Sequence, residues 1–358
     1  MTQNENILKD SPYGKSILAK NYKAKLLLFG LLFLLLVSMI LSVLTGSSNT
    51  GLKELVALLT GSENLHESQR YILLNLRLPR LILAVLIGGT LAIAGVALQG
   101  LFRNPLAAPG ILGVNSGAAL GAALVIVIGS LVLPASSLDH SYLFIPTGAF
   151  FCALLLTLLI VKVGTVQGRT NILLLLLSGI AVQAIVSALM GLLIYMSSTQ
   201  QLRSLIFWTL GDLGSVGWKE LTLLIPVLLL SAFMIFRKAN SLNILLLGES
   251  EATHLGIEVE QLKKSIICWT TLSVALGVSF TGSIGFIGLA APHLVRMIVG
   301  PNHKILLPSA ALMGSIILVV ADILSRTVAS SEIPVGIITA LIGSPIFLWL
   351  LICQRRAS

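Results

Sequence analysis

Charge is what this sequence has least of. Only 10% of its 358 residues are Asp, Glu, Lys or Arg, against about 25% in soluble domains. At that density a globular surface cannot be covered with polar groups, which excludes a soluble protein. Cysteine is scarce too. Cys152, Cys268 and Cys353 lie within or beside apolar runs without paired spacing. They read as small buried hydrophobes and indicate neither a disulfide framework nor a metal site. No Gly-x-x-x-x-Gly-Lys-Ser/Thr run occurs, so the usual phosphate cradle for ATP is missing. His-Glu-x-x-His, Cys-x-x-Cys and Gly-x-Ser-x-Gly are missing as well. The histidines His66, His140, His254, His293 and His303 do not cluster in sequence and read mostly as loop, surface or capping residues. With no paired acids, His cluster or metal motif, a membrane-embedded enzyme has no support, and no metal site is expected.

What is present is apolar: 56% hydrophobic residues and a mean hydropathy of +0.99. A spanning helix needs about 20 predominantly apolar residues. The blocks 24–45, 81–101, 143–161, 172–195, 221–236, 266–280 and 334–352 approach that length. Three more, 109–133, 283–298 and 306–325, are interrupted by Gly, Pro or polar residues. About ten helical spans are therefore predicted, since backbone groups in lipid must bond within their own segment. The fold class is an all-α polytopic membrane protein, multi-pass in a bacterial inner membrane. The polar segment 1–23 lacks a signal-peptide cleavage pattern and is expected to be a cytoplasmic tail before a retained first span. A ten-span domain covers 24–353, with an outer loop at 46–80 and a long cytoplasmic loop at 237–265; residues 354–358 form a second cytoplasmic tail.

A net charge of +9 could suggest nucleic acid, but the basic residues are placed by topology. With both termini inside, Lys53, Arg70, Arg77, Arg80, Arg203, Lys219 and Arg326 fall outside, and the other sixteen of the 23 Lys and Arg fall inside. This is the positive-inside pattern, and no nucleic-acid partner is expected.

Few residues carry chemistry within the spans. Asp322 is the clearest intramembrane acid, a functional candidate by default. Arg326 lies one turn further on, at the spacing of a helical ion pair, so a paired structural role is favoured over a proton relay. This weakens an ion-coupled secondary transporter, which needs acids or ion sites near the midplane. Arg77, Arg80 and Arg326 gather at the outer face, against the positive-inside bias. They suit either lipid-phosphate snorkelling or bidentate pairing with carboxylates of an external partner. Gly113, Gly117 and Gly121 recur every fourth residue and serve close helix packing, a solute path, or both. Residues 200–211 suggest a short interfacial helix, with Trp208 and Trp218 at headgroup depth. The inner loop mixes Leu245, Leu246 and Leu247 with Glu249 and Glu251, a pattern that needs burial against a partner or the membrane domain.

Taken together, several segments resemble the permease family of type II ABC importers for cobalamin, ferric siderophores and haem. They are Arg77-Leu78-Pro79-Arg80, Gly95-x-x-x-Gln99, Arg103-Asn104-Pro105-Leu106-Ala107-x-Pro109, Leu112-Gly113 and Gly117-Ala118. Further on come Phe207-Trp208-x-x-Gly211, Leu247-Gly248-Glu249, Leu255-Gly256 and Gly285-Phe286-Ile287-Gly288-Leu289-x-x-Pro292-His293-x-x-Arg296. Ala321-Asp322, Glu332-x-Pro334-x-Gly336 and Gly343-x-Pro345 complete the set, which spans roughly 70–352.

The resemblance implies a homodimeric membrane core, two copies of a separate cytoplasmic ATPase and an external substrate-binding protein. ATP and Mg would be bound by the ATPase, and this chain would bind no cofactor and perform no bond chemistry. Arg77, Arg80 and Arg326 would dock glutamates of the binding protein. Gly248, Glu249, Ala252, Leu255 and Gly256 would belong to coupling helices seated on the ATPase. Asn104, Pro105 and Leu106, with Asn171 and Ile172, would narrow the pathway inside, and Gln99, Gly113 and Gly117 would line it. Asn171 departs from the small hydroxyl residues of the cobalamin member. The segment Gln201–Trp208 resembles haem and siderophore permeases. Both favour an iron chelate as cargo, with cobalamin as the alternative.

Overall fold

The computed structural model describes residues 12–46, 57, 66–129, 143–329 and 331–357. Among these, seven helices are long and apolar enough to cross a membrane, and three shorter apolar helices bring the spans to ten. They are α1 (Pro12–Leu44), α2 (Glu67–Leu101), α3 (Val114–Gly129), α4 (Phe144–Val163) and α5 (Ile172–Met196). An outer helix, α6 (Thr199–Leu210), precedes the sixth span α7 (Trp218–Arg237). Two short cytoplasmic helices follow, α8 (Ala239–Leu245) and α9 (Glu249–His254). The remaining spans are α10 (Val259–Thr281), α11 (Ile287–Val299), α12 (His303–Thr327) and α13 (Val335–Ala357). A two-stranded hairpin, β1 (Thr165–Val166) with β2 (Arg169–Thr170), links α4 to α5. Its turn residues Gln167 and Gly168 both have positive φ, as a tight two-residue hairpin requires.

The spans sort by burial. The apolar window of α2 is 83% buried, against 28% for α1, α4, α5 and α7. α2 is therefore the inner helix, and its small residues explain why. A Cβ on Gly88 would strike the carbonyl of Gly314 in α12, and one on Gly95 the carbonyl of Gly288 in α11. Backbones this close gain dispersion contacts that lipid tails cannot supply, which is how small residues hold helices together in a bilayer.

The spans were expected close to where they fall, but several boundaries move. Helix α2 starts at Glu67, so most of 66–80 is helix rather than outer loop. A π turn over Ile72–Arg77 precedes Pro79 and loosens the ladder where proline would otherwise clash with it. Trp218 Nε1 donates to the carbonyl of Leu74 inside that turn, at 2.9 Å. The cytoplasmic segment 237–265 is mostly helical, and α10 already begins at Val259. Helix α1 extends back to Pro12 and α13 on to Ala357, into the two expected tails. Lys53 and His140 lie outside the described residues.

Candidate functional site

The outer arginines converge. Arg80 on α2 places Nε 2.7 Å from Asp322 Oδ1 on α12 and Nη1 2.8 Å from Glu332 Oε2. Arg326 places Nη2 2.9 Å from Asp322 Oδ2, the predicted i,i+4 pair. It also donates to the α1 end, through Nη1 to the Thr45 carbonyl at 3.1 Å and Nη2 to Ser42 Oγ at 2.9 Å. Arg77 donates to the carbonyl of Val43. Asp322 is 1% exposed and is shared by two guanidinium groups. A buried carboxylate persists only with such compensation. The sequence offered lipid-phosphate snorkelling or pairing with a partner's carboxylates; the structure buries most of each side chain, because each has inward acceptors. All three nevertheless line one outer recess of about 410 Å³, together with Asp212 and Glu332. A neighbouring recess of about 300 Å³ is lined by Arg80, Phe207, Trp208, Phe280 and Val335. Trp208 thus packs into the molecule rather than standing only in a headgroup belt.

The outer helix α6 opens with a capping box. Ser198 Oγ accepts from the Gln201 N–H, and Gln201 Oε1 accepts from the Ser198 N–H. The N–H groups of Ser198 and Gln201 are thereby satisfied reciprocally. Gln201 Nε2 also donates to the Ile126 carbonyl, holding α6 against α3.

On the cytoplasmic side, α9 stands out from the membrane domain on one buried residue, Ala252. Gly248 precedes it at φ 126°, ψ 157°, a region essentially reserved for glycine. Leu247 and Leu255 are 67% and 59% exposed, an apolar edge left largely uncovered by the described residues. Beside them lies an open recess of about 780 Å³ lined by Arg169, Glu249, His254 and Gly256. The predicted coupling residues Gly248, Glu249, Ala252, Leu255 and Gly256 are therefore one cluster.

The inner turns are built locally. Asn104 Oδ1 accepts from the Leu106 N–H at 2.9 Å, and Pro105 and Leu106 are exposed. Asn171 caps α5 by accepting from the Leu174 N–H at 3.2 Å, satisfying an orphan helix donor. Ile172 follows as the first residue of α5.

The other residues expected along the pathway lie within the bundle of this chain. A Cβ on Gly117 would strike Ala153 of α4, one on Gly121 the Gly148 carbonyl, and one on Gly113 the Ile160 side chain. The glycine stripe packs α3 closely against α4. Gln99 is 1% exposed inside the bundle, and its amide atoms have no hydrogen-bond partner among the described residues.

Two side-chain readings also change. His293 and His303 are 3% and 1% exposed, because α11 and α12 carry them into the bundle. Cys268 is exposed on α10, although Cys152 is half-buried. Among the described residues no three His, Cys, Asp or Glu side chains gather as metal ligands.

Sequence reasoning missed Lys263. It is 3% exposed, with Nζ 2.8 Å from Glu249 Oε2 and 3.0 Å from Glu260 Oε1. The i,i+3 spacing of Glu260 and Lys263 was the available signal.

Comparisons with known proteins agree with this architecture. The FecCD transport family matches residues 34–353. The hemin transport system permease protein HmuU of Yersinia pestis is 42% identical over 92% of this chain and 96% of its own. The vitamin B12 import system permease protein BtuC of Klebsiella pneumoniae is 35% identical over 92% and 94%. A metal-chelate type ABC transporter solved in an inward-facing conformation superposes with a TM-score of 0.78, at 34% identity, over 90% of this chain and 98% of that one. The ten helices are thus those of a multi-pass inner-membrane protein with the type II ABC importer permease fold, and ATP hydrolysis resides on a separate subunit. This chain belongs to the FecCD transport family, as a permease subunit of an ABC importer.

Proposed function

We propose that this chain carries an iron chelate, haem or a ferric siderophore, inward across the membrane as one half of a homodimer. Two copies of an ATPase drive it, with ATP and Mg bound on those chains and no cofactor on this one. The observation that carries the reading is the 42% identity to a hemin permease along nearly the whole chain. Helix α5 leaves most of its apolar window unburied, a face available to lipid or to the second copy.

In this reading a loaded binding protein presents carboxylates to the outer recess lined by Arg77, Arg80 and Arg326. Arg80 Nη1 already holds the 59% exposed Glu332, so an incoming carboxylate exchanges with a resident one. The cluster Gly248, Glu249, Ala252, Leu255 and Gly256 seats on the ATPase. Nucleotide binding there favours one arrangement of the helices over another, since a ligand shifts an equilibrium only through differential affinity. The turn Asn104–Leu106 and the α5 start at Asn171 and Ile172 narrow the inner exit. A cobalamin cargo is the second reading, favoured by the B12 permeases among the relatives.

The test is deletion of the gene, followed by uptake of labelled haem, a ferric-siderophore panel and cobalamin. Loss of haem or siderophore uptake, restored by the wild-type gene, is expected. Loss confined to cobalamin would replace the first reading with the second.

A further inference from the structure

The ammonium of Lys263 joins α9 and its own helix α10 to strand β2, 93 residues earlier in the chain. Its Nζ donates to Glu249 Oε2 on α9 at 2.8 Å, to Glu260 Oε1 on its own helix α10 at 3.0 Å, and to the Thr170 carbonyl of β2 at 3.2 Å. An ammonium has three donors, and here all three are used. The second oxygen of Glu260 accepts from the Thr170 N–H at 2.9 Å. Thr170 is thus held through both its N–H and its carbonyl. The next residue, Asn171, caps α5 and donates its own N–H to the Gly164 carbonyl across the base of the hairpin. These polar bonds, continued through the Thr170–Asn171 peptide, therefore lead from α9 to the N-cap of the fifth span.

The cluster sits where a simple surface ion pair would not. Lys263 is 3% exposed, whereas Glu249 and Glu260 are 38% and 30% exposed. The lysine is the buried member, and its position depends on both acids, because an unpaired ammonium is expensive to bury. The carboxylates, by contrast, can still reach water if the lysine is lost. The one buried residue of α9 is Ala252, and α9 also packs on α8; Lys263 is the side chain that ties it to the β1–β2 hairpin.

We propose that Lys263 is the positioning residue that transmits displacement of α9 to the β1–β2 hairpin and hence to the inner end of α5. This rests on the reading of α9 as the ATPase-facing helix. Its loss should leave the complex assembled and hydrolysing ATP while import falls, because the carboxylates rehydrate but the hairpin no longer follows α9.

The test uses the complete importer, with ATPase and binding protein, in proteoliposomes. Uptake of labelled haem, ferric siderophore or cobalamin is divided by ATP hydrolysed, and assembly is followed by size-exclusion elution. Lys263→Met should keep wild-type elution and basal hydrolysis yet lower the uptake-to-hydrolysis ratio by at least about fivefold, the lower end of typical coupling between sites. Lys263→Arg should recover most of that loss. Glu249→Gln, which weakens the α9 arm and is read against the same elution and hydrolysis controls, should also lower the ratio and keeps the test decisive if Lys263→Met fails to assemble. A wild-type ratio in Lys263→Met or in Glu249→Gln would overturn the proposal. Wild-type liposomes that take up none of the probes would instead count against the importer reading, so the two failures are distinguishable.

Discussion

Arg80 and Asp322 lie 242 residues apart and 2.7 Å from one another, fastening the outer end of α2 to α12. Asp322 also holds Arg326 on its own helix at 2.9 Å. One buried carboxylate thus sets the positions of two of the three arginines lining the outer recess. Breaking a buried pair by removing one partner leaves charge uncompensated, at a cost of about 3 kcal/mol. Asp322→Asn should therefore lower the thermal unfolding midpoint of the purified protein markedly. An unchanged midpoint would show that the pair does not fasten the helices.

Glu332 should behave differently. Its side chain is 59% exposed, and exposed pairs contribute about 1 kcal/mol or less. Glu332→Gln should leave the unfolding midpoint nearly unchanged while freeing Arg80 Nη1. Affinity for the loaded binding protein, read by surface binding at low salt, should rise. A fall would mean that Glu332 is itself a docking group and not a resident that gives way.

The helix crossings can be probed by adding one methyl group. Gly95→Ala drives a Cβ into the Gly288 carbonyl, and overpacking of this kind costs about 1–3 kcal/mol. Gly30→Ala on α1 meets nothing within 4 Å. The first variant should unfold earlier on heating, and the second should match wild type. Equal midpoints would contradict the close approach of α2 and α11.

Gly248→Ala tests the start of α9. At φ 126° an alanine would be strained by about 1–3 kcal/mol. Because α9 is short, the strain should appear as faster amide exchange over 249–254, with little change in the spans. Unaltered exchange would mean that the segment does not need this backbone conformation.

Much of this was legible in the sequence, for reasons visible at particular residues. Long apolar runs declare spans because lipid leaves the backbone no other option. Asp322 and Arg326 were legible as a pair because their spacing is local. Arg80 as the second partner of Asp322 was not, since nothing in either segment encodes a contact 242 residues away. Helix α2 reads as starting at 81 because Arg70, Arg77 and Arg80 depress hydropathy before it. The helix continues back to Glu67 because Arg77, Arg80 and the Leu74 carbonyl find partners in α1, α12 and Trp218. The glycine stripe left packing and pathway both open, and the packing role becomes visible only in the position of Ala153 against Gly117. Lys263 looked like one more cytoplasmic charge, because its burial depends on β2 and α9 folding over it.

The central claim is that this chain is moved by a partner's nucleotide cycle and not by an ion gradient. Reconstitution into liposomes with its ATPase and loaded binding protein tests it most directly. Uptake of labelled chelate should require ATP and both partners, and should survive collapse of the proton gradient by an uncoupler. Uptake that persists without the ATPase and collapses with the uncoupler would contradict the account.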